Sequence, residues 1–169
     1  MNSSKIDEIL RFYLLATQLK DVVRSGRITR NIQRKRVESV AEHIYGTCIL
    51  AIAIHSEFSA ELEHEIDLYK VIVMLVIHEL EEIVIGDLTP YDTMSPEERL
   101  RQGREAVQMV LGNLTKKAEY LALTDEFNKQ TTPEARFAKM CDKLEADLQV
   151  RKYEEEGAIS IERDVNNAR

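Results

Sequence analysis

His78 and Glu79 stand directly behind seven consecutive apolar residues, Val71 to Ile77, with Glu81 and Glu82 following before Gly86. An apolar run with no polar face predicts a helix through the protein interior, from about Asp67 to Ile85, stopped by the glycine. Carboxylates at the end of such a helix are expensive to bury without a cation or hydrogen bonds. A divalent metal is the economical partner. His43 and Asp142 also fall beside apolar helical stripes. Two imidazoles and two carboxylates, His43, His78, Glu79 and Asp142, form a mixed nitrogen and oxygen set. Such a set suits one Mn, Fe, Co, Zn or Ni ion better than Ca or a thiolate-seeking metal. His55 and His64 have no comparable neighbours.

Two other metal chemistries fail on spacing. His78-Glu79-Leu80-Glu81-Glu82 begins like a zinc-protease helix, but position 82 lacks the second histidine that chemistry needs. A di-metal bundle requires two Glu-x-x-His pairs on separate helices, and Glu61 to His64 is the one present, in a stretch that reads as a connector. A basic island, Arg24, Arg27, Arg30, Arg34, Lys35 and Arg36, interrupts a chain of net charge −7. It reads either as a solvated connector or as an anion-binding loop. The overall acidity argues against a protein that coats nucleic acid, so any phosphate is bound locally.

The elements that must position these residues read as helices. Apolar residues at three and four, Ile6, Ile9, Leu10, Tyr13, Leu14, Leu19 and Val22, predict a first helix from Lys5 to about Arg24, ended by Ser25-Gly26. Ser39 to Glu42 has the form of a capping box, so a second helix starts at Ser39 and reaches about Phe58, with His43 one turn inside. The central helix comes next. Ser95-Pro96-Glu97-Glu98 reads as another cap and box opening a fourth helix to about Leu111. Leu114 to Gln130 reads as a peripheral helical segment with Leu114, Ala118, Leu121 and Phe127 inward. Thr132-Pro133 opens a last helix carrying Phe137, Met140, Cys141, Leu144, Leu148 and Val150 to Glu156, before Gly157. No alternating β-branched runs or repeats occur, so the expectation is an all-α chain.

The length of 169 residues and 44% apolar content suit one compact domain with a core. The expected division is a domain over 1–157 and a C-terminal tail over 158–169. Cys48 and Cys141 lie in helical apolar patterns and read as small buried hydrophobes. No apolar leader or run of roughly 18 residues is present, so a cytoplasmic location without a membrane partner is expected.

Several separated motifs together resemble a known family. Arg30-Asn31, Glu38-Ser39-Val40-Ala41-Glu42-His43, His78-Glu79 with Glu82 one turn on, Gly86-Asp87 and Lys139 to Asp142 are similar to the HD-domain phosphohydrolases, more narrowly to the 5′-deoxynucleotidase branch. The resemblance covers about Leu10 to Glu155. It implies an all-helical single-domain bundle with a metal site between three core helices, where His43, His78, Glu79 and Asp142 hold one divalent ion. The implied activity is release of phosphate from nucleoside 5′-monophosphates, chiefly deoxyribonucleotides, by attack of metal-activated water. Carried over, Glu82 is an acid/base or positioning group, Asp87 touches the sugar or leaving oxygen, and Arg24, Arg27 and Arg30 hold the phosphate. The resemblance also implies a homodimer and a small-molecule nucleotide as partner. Position 79 departs from the family pattern, which has Asp, and Arg27 stands where relatives place Trp. These departures leave two alternatives: a nucleotide-binding or regulatory protein with weakened catalysis, and a hydrolase of another nucleotide phosphoester or diphosphate. Glu82 also has a plainer reading, a solvated charge at a helix end.

Overall fold

A computed structural model describes residues 3–24, 32, 36–87 and 93–158. The order is α1 (Ser3–Ala16), α2 (Val40–Phe58), α3 (Leu68–Ile77), α4 (Glu82–Ile85), α5 (Pro96–Leu111), α6 (Lys117–Lys129) and α7 (Pro133–Glu155), with 3-10 turns at Thr17–Lys20 and Ser59–Glu61. Among the described residues the sole β pairing is a bridge between Val23 and Ser39. The all-α expectation is met. No described helix is long and apolar enough to cross a membrane.

Helices α2, α3 and α7 pack against one another as the central group. One core cluster joins Ala51, Val71, Met74, Leu75, Phe127, Phe137 and Cys141 between α2, α3, α6 and α7. A second joins Leu19, Val40, Ile44, Ile77, Leu80, Val107, Val110 and Leu111 between the first 3-10 turn, α2, the end of α3 with the turn after it, and α5. His43 and His78 sit next in sequence to Ile44 and Ile77 of the second cluster, so both are built into the interior. Both cysteines are free, Cys141 buried and Cys48 half-buried, as their apolar context suggested.

The capping box at α2 forms as expected. Glu42 N–H donates to Ser39 Oγ at 3.3 Å, and Ser39 N–H donates to Glu42 Oε2 at 2.9 Å. Losing a cap of this kind costs about 1 kcal/mol. Ser39→Ala should therefore lower unfolding stability by about that amount, measured by denaturant titration; a loss near zero would mean the box contributes nothing to α2.

Other expectations are corrected. α1 ends at Ala16 rather than near Arg24, because Val22 to Arg24 run extended beside the start of α2: Val40 N–H donates to Val22 O at 2.8 Å and Arg24 N–H to Glu38 O at 3.2 Å. Its inner residues are Phe12, Leu15 and Ala16, whereas Ile9, Leu10, Tyr13 and Leu14 are exposed. The central helix is broken into α3 and α4, and Val76 is half exposed at 50%. At α5, Ser95 caps Glu98 N–H at 3.2 Å, but the Glu98 carboxylate accepts from Arg101 and Gln102 instead of closing a box. α6 is not peripheral, since Phe127 enters the core, while Ala118 faces out. Met140, Leu144 and Leu148 of α7, and Ile49 and Ile52 of α2, are also exposed. An apolar residue on a helix satisfies the three-four spacing whether or not another element lies opposite, so periodicity alone overstates burial.

Candidate metal centre and active site

The break between α3 and α4 has an identifiable cause. His78 Nδ1–H donates to Leu75 O at 2.7 Å, the carbonyl that Glu79 N–H would use in a continuing α-helix. Tighter bonds follow, Leu80 N–H to Ile77 O at 3.3 Å and Glu82 N–H to Glu79 O at 3.0 Å. This turn carries His78, Glu79 and Glu82 toward α2 and α7, and Gly86, at φ +74°, ends α4 and leads into Asp87.

Donor atoms of His43, His78, Glu79 and Asp142 lie within 4.8 Å of one another. Asp142 Oδ1 is 3.0 Å from His43 Nε2 and 3.7 Å from His78 Nε2, and Glu79 Oε1 is 3.3 Å from His78 Nε2. The extra methylene of Glu79 thus still delivers an oxygen to the cluster. Each imidazole has its other nitrogen engaged: His78 Nδ1 with Leu75 O, and His43 Nδ1 with Glu145 Oε2 at 2.5 Å. Both Nε2 atoms thus face the carboxylates of the cluster, and each becomes a ligand where a cation replaces its proton. His78 Nε2 and Glu82 Oε2 are buried with no hydrogen-bond partner. Two orphaned buried polar atoms beside two carboxylates fit a divalent cation, which would satisfy the nitrogen and offset the negative charge.

The electrostatics agree. Burial works against every charge here. It would lower the His78 imidazolium, but the Glu79 and Asp142 carboxylates reverse this and raise its pKa to about 9. Burial would raise Asp142, yet the two histidines and Lys139 hold it far below the usual carboxylate range. Glu79 is likewise lowered against burial by His78 and Arg24. Glu82 moves the other way: burial, then the negative Glu79 and Asp87, push it well above an ordinary carboxylate. At 4% exposure, Glu82 is not a solvated helix end.

A pocket of about 440 Å³ opens over the cluster, lined among others by Arg24, Glu82, Asp87, Arg99, Phe127 and Lys139. Arg24 Nη1 is 3.4 Å from Glu79 Oε1. Of the expected phosphate-holding arginines, Arg24 lines this pocket, and Arg27 and Arg30 lie outside the described residues, as does Asn31. Asp87 lines the pocket. Residues given no site role from the sequence also touch the site, among them Lys139 of the Lys139 to Asp142 motif. Lys139 Nζ is 2.8 Å from Asp142 Oδ2 and 4.7 Å from the centre of the Phe127 ring, and that ring lies 4.9 Å from His78. Glu145 holds His43, and Arg99 enters from α5. The spacing of Lys139, Asp142 and Glu145, three apart along α7, was the available signal for two of them.

The HD domain family model matches residues 16–168. The chain belongs to the HD domain family. Among relatives of this HD protein, the 5'-deoxynucleotidase HDDC2 of Danio rerio is 34% identical over 152 residues, covering 89% of this chain and 72% of that protein. A conserved hypothetical protein from Pyrococcus furiosus superposes with a TM-score of 0.74 at 29% identity, covering 88% of this HD chain and 81% of its own. A structure titled "Predicted metal-dependent phosphohydrolase", from Magnetospirillum magnetotacticum, gives a TM-score of 0.67 at 26% identity, covering 82% and 67%.

Proposed function

We infer that this HD protein is a metal-dependent phosphohydrolase that releases phosphate from nucleoside 5′-monophosphates, with deoxyribonucleotides as the main substrates. The observation that carries this reading is the convergence of two imidazoles and two carboxylates on one point under a polar pocket. The 5'-deoxynucleotidase name of a relative matching 89% of the chain supports the same reading.

His43, His78, Glu79 and Asp142 would hold one divalent transition ion, Mn, Co, Ni, Fe or Zn. When bound, the ion supplies positive charge for the phosphoryl oxygens and acidifies an attacking water. Glu82, buried and raised in pKa, manages a proton next to the reacting atoms. Arg24 presents a guanidinium to the phosphate from the pocket wall, and Arg27 and Arg30 complete that role. Asp87, at the pocket edge beyond α4, accepts from the sugar or steadies the leaving oxygen. The domain comprises residues 1–157 and the tail 158–169, whose first residue, Ala158, packs back with its N–H on Tyr153 O at 2.8 Å. The protein acts in the cytoplasm as a homodimer. The exposed apolar residues of α1, Leu10 at 52% and Leu14 at 63%, support a self-contact, and sedimentation would read the oligomer.

Metal-stripped protein, given Mn, Co, Ni, Zn or Mg singly, should release phosphate from a panel of 5′-monophosphates, fastest from deoxyribonucleotides. Because Glu79 already reaches the cluster, Glu79→Asp should change that rate by less than about tenfold. Silent wild-type protein that gains activity in Glu79→Asp would instead establish decayed catalysis.

A further inference from the structure

Gly46 lies three residues after His43 on α2. A Cβ built at this glycine would meet Glu145 Oε1 at 2.7 Å, its Cγ at 3.0 Å and its Cδ at 3.1 Å. Glycine weakens a helix interior relative to alanine, so its place in the middle of α2 calls for a reason. The Glu145 side chain from α7 occupies the space. Its other oxygen, Oε2, lies 2.5 Å from His43 Nδ1, and His43 is fully buried. An ionised carboxylate only accepts, so Nδ1 carries a proton toward Glu145, while Nε2 faces Asp142 Oδ1 at 3.0 Å, the side on which a bound cation would replace a second proton.

We propose that Gly46 and Glu145 are a positioning pair for the metal centre: the missing side chain at 46 is the seat that lets Glu145 set the tautomer and ring plane of His43. Neither residue belongs to the four-donor set. The inference rests on the metal-dependent reading above and deepens it, since a partner that orients a ligating imidazole commonly tunes metal affinity. Glu145 spends one oxygen on Nδ1 and is held at its base by α7, so its reach depends on how closely α2 approaches. Gly46 governs that approach.

The test combines two readouts, Mn affinity by chelator competition and the His43 tautomer by long-range proton–nitrogen NMR of metal-free protein. Wild type should keep a proton on Nδ1, whether or not Asp142 holds a second on Nε2. Glu145→Ala should leave the proton of the neutral ring on Nε2, against Asp142, and weaken Mn binding by about 10- to 100-fold. Glu145→Gln, whose amide oxygen still accepts from Nδ1, should restore the tautomer and most of the affinity. Gly46→Ala should weaken binding in the same direction, with circular dichroism confirming that α2 still forms, since alanine favours the helix. The double variant should bind no worse than Glu145→Ala alone, since both changes break one contact. Unchanged tautomer and affinity in Glu145→Ala and Gly46→Ala, or losses that multiply in the double variant, would overturn the proposal. So would two Mn ions per chain with one lost in Glu145→Ala, because Glu145 would then be a ligand. Wild type that binds none of the candidate metals sinks the metal reading instead, and the metal-free tautomer still decides whether the pair positions His43.

Discussion

His78→Ala is expected to bind no stoichiometric divalent metal and to lose phosphate release by well over 100-fold, since altering a ligand's outer partner alone costs about 10- to 100-fold. The imidazole is buried, its Nδ1 is committed to Leu75 O, and its Nε2 has no hydrogen-bond partner. That nitrogen sits 3.3 Å from Glu79 Oε1 and 3.7 Å from Asp142 Oδ1 without a well-formed hydrogen bond to either, the placement of one ligand among others. The substitution also removes the acceptor's partner at Leu75 O, a cost of about 1–3 kcal/mol if that carbonyl stays dry. Elemental analysis of the purified variant, with circular dichroism as the check on folding, separates the two effects. A folded variant that keeps its metal and its turnover would refute the four-residue centre.

Glu82→Gln should keep the metal and lose turnover, with kcat down by about 10²- to 10⁴-fold, the usual worth of a positioned acid or base. Glutamine matches the shape of the protonated acid, so a structural role would survive the change and a proton-handling role would not. The pH dependence of stability supplies a second, activity-free reading. Glu82 is raised above its unfolded value of 4.5, so its contribution is full below that value and is lost as pH climbs toward the elevated one. His78 behaves alike: its contribution is full below 6.5 and is lost as pH rises through about 9. Glu79 and Asp142 are lowered, so their contributions are present at neutral pH and lost only in acid. Metal-free protein should therefore melt at progressively lower temperature between about pH 7 and about pH 9. Glu82→Gln cannot ionise and should flatten that slope. A slope identical to wild type would mean that Glu82 is not the group holding the proton.

Much of this architecture was legible in the chain because it is written in local chemistry. Ser39, Ser95 and Thr132 each accept from the amide three residues on, and a cap needs only its own turn to work. The four donors were legible from residue type and from helix ends, and the ordered motifs around them pointed to the same family that the domain match identifies. What stayed hidden depends on partners distant in sequence. The outward face of α1 follows from Phe12 and Leu15 packing on the second core cluster, where α1 meets the first 3-10 turn and α5, which the periodicity of α1 does not encode. The α3–α4 break follows from which way the His78 ring turns. Glu145 and Gly46 are individually unremarkable, and their meaning appears when α2 and α7 are side by side.

Tyr153, near the end of α7, is 1% exposed, and its hydroxyl accepts from Glu38 N–H at 3.3 Å just ahead of α2. The contact between His43 and Asp142 likewise joins residues 99 apart in the chain. Such closures are slow relative to local helix formation, because the loop entropy is lost before the contact forms. A chain emerging from the ribosome can build α2 and α3 early, yet it has an incomplete donor set until its C-terminal helix is released. Because α7 supplies Asp142, the four-donor cluster closes only when α7 docks, and a chain cut short before α7 would bring three of the donors without the fourth.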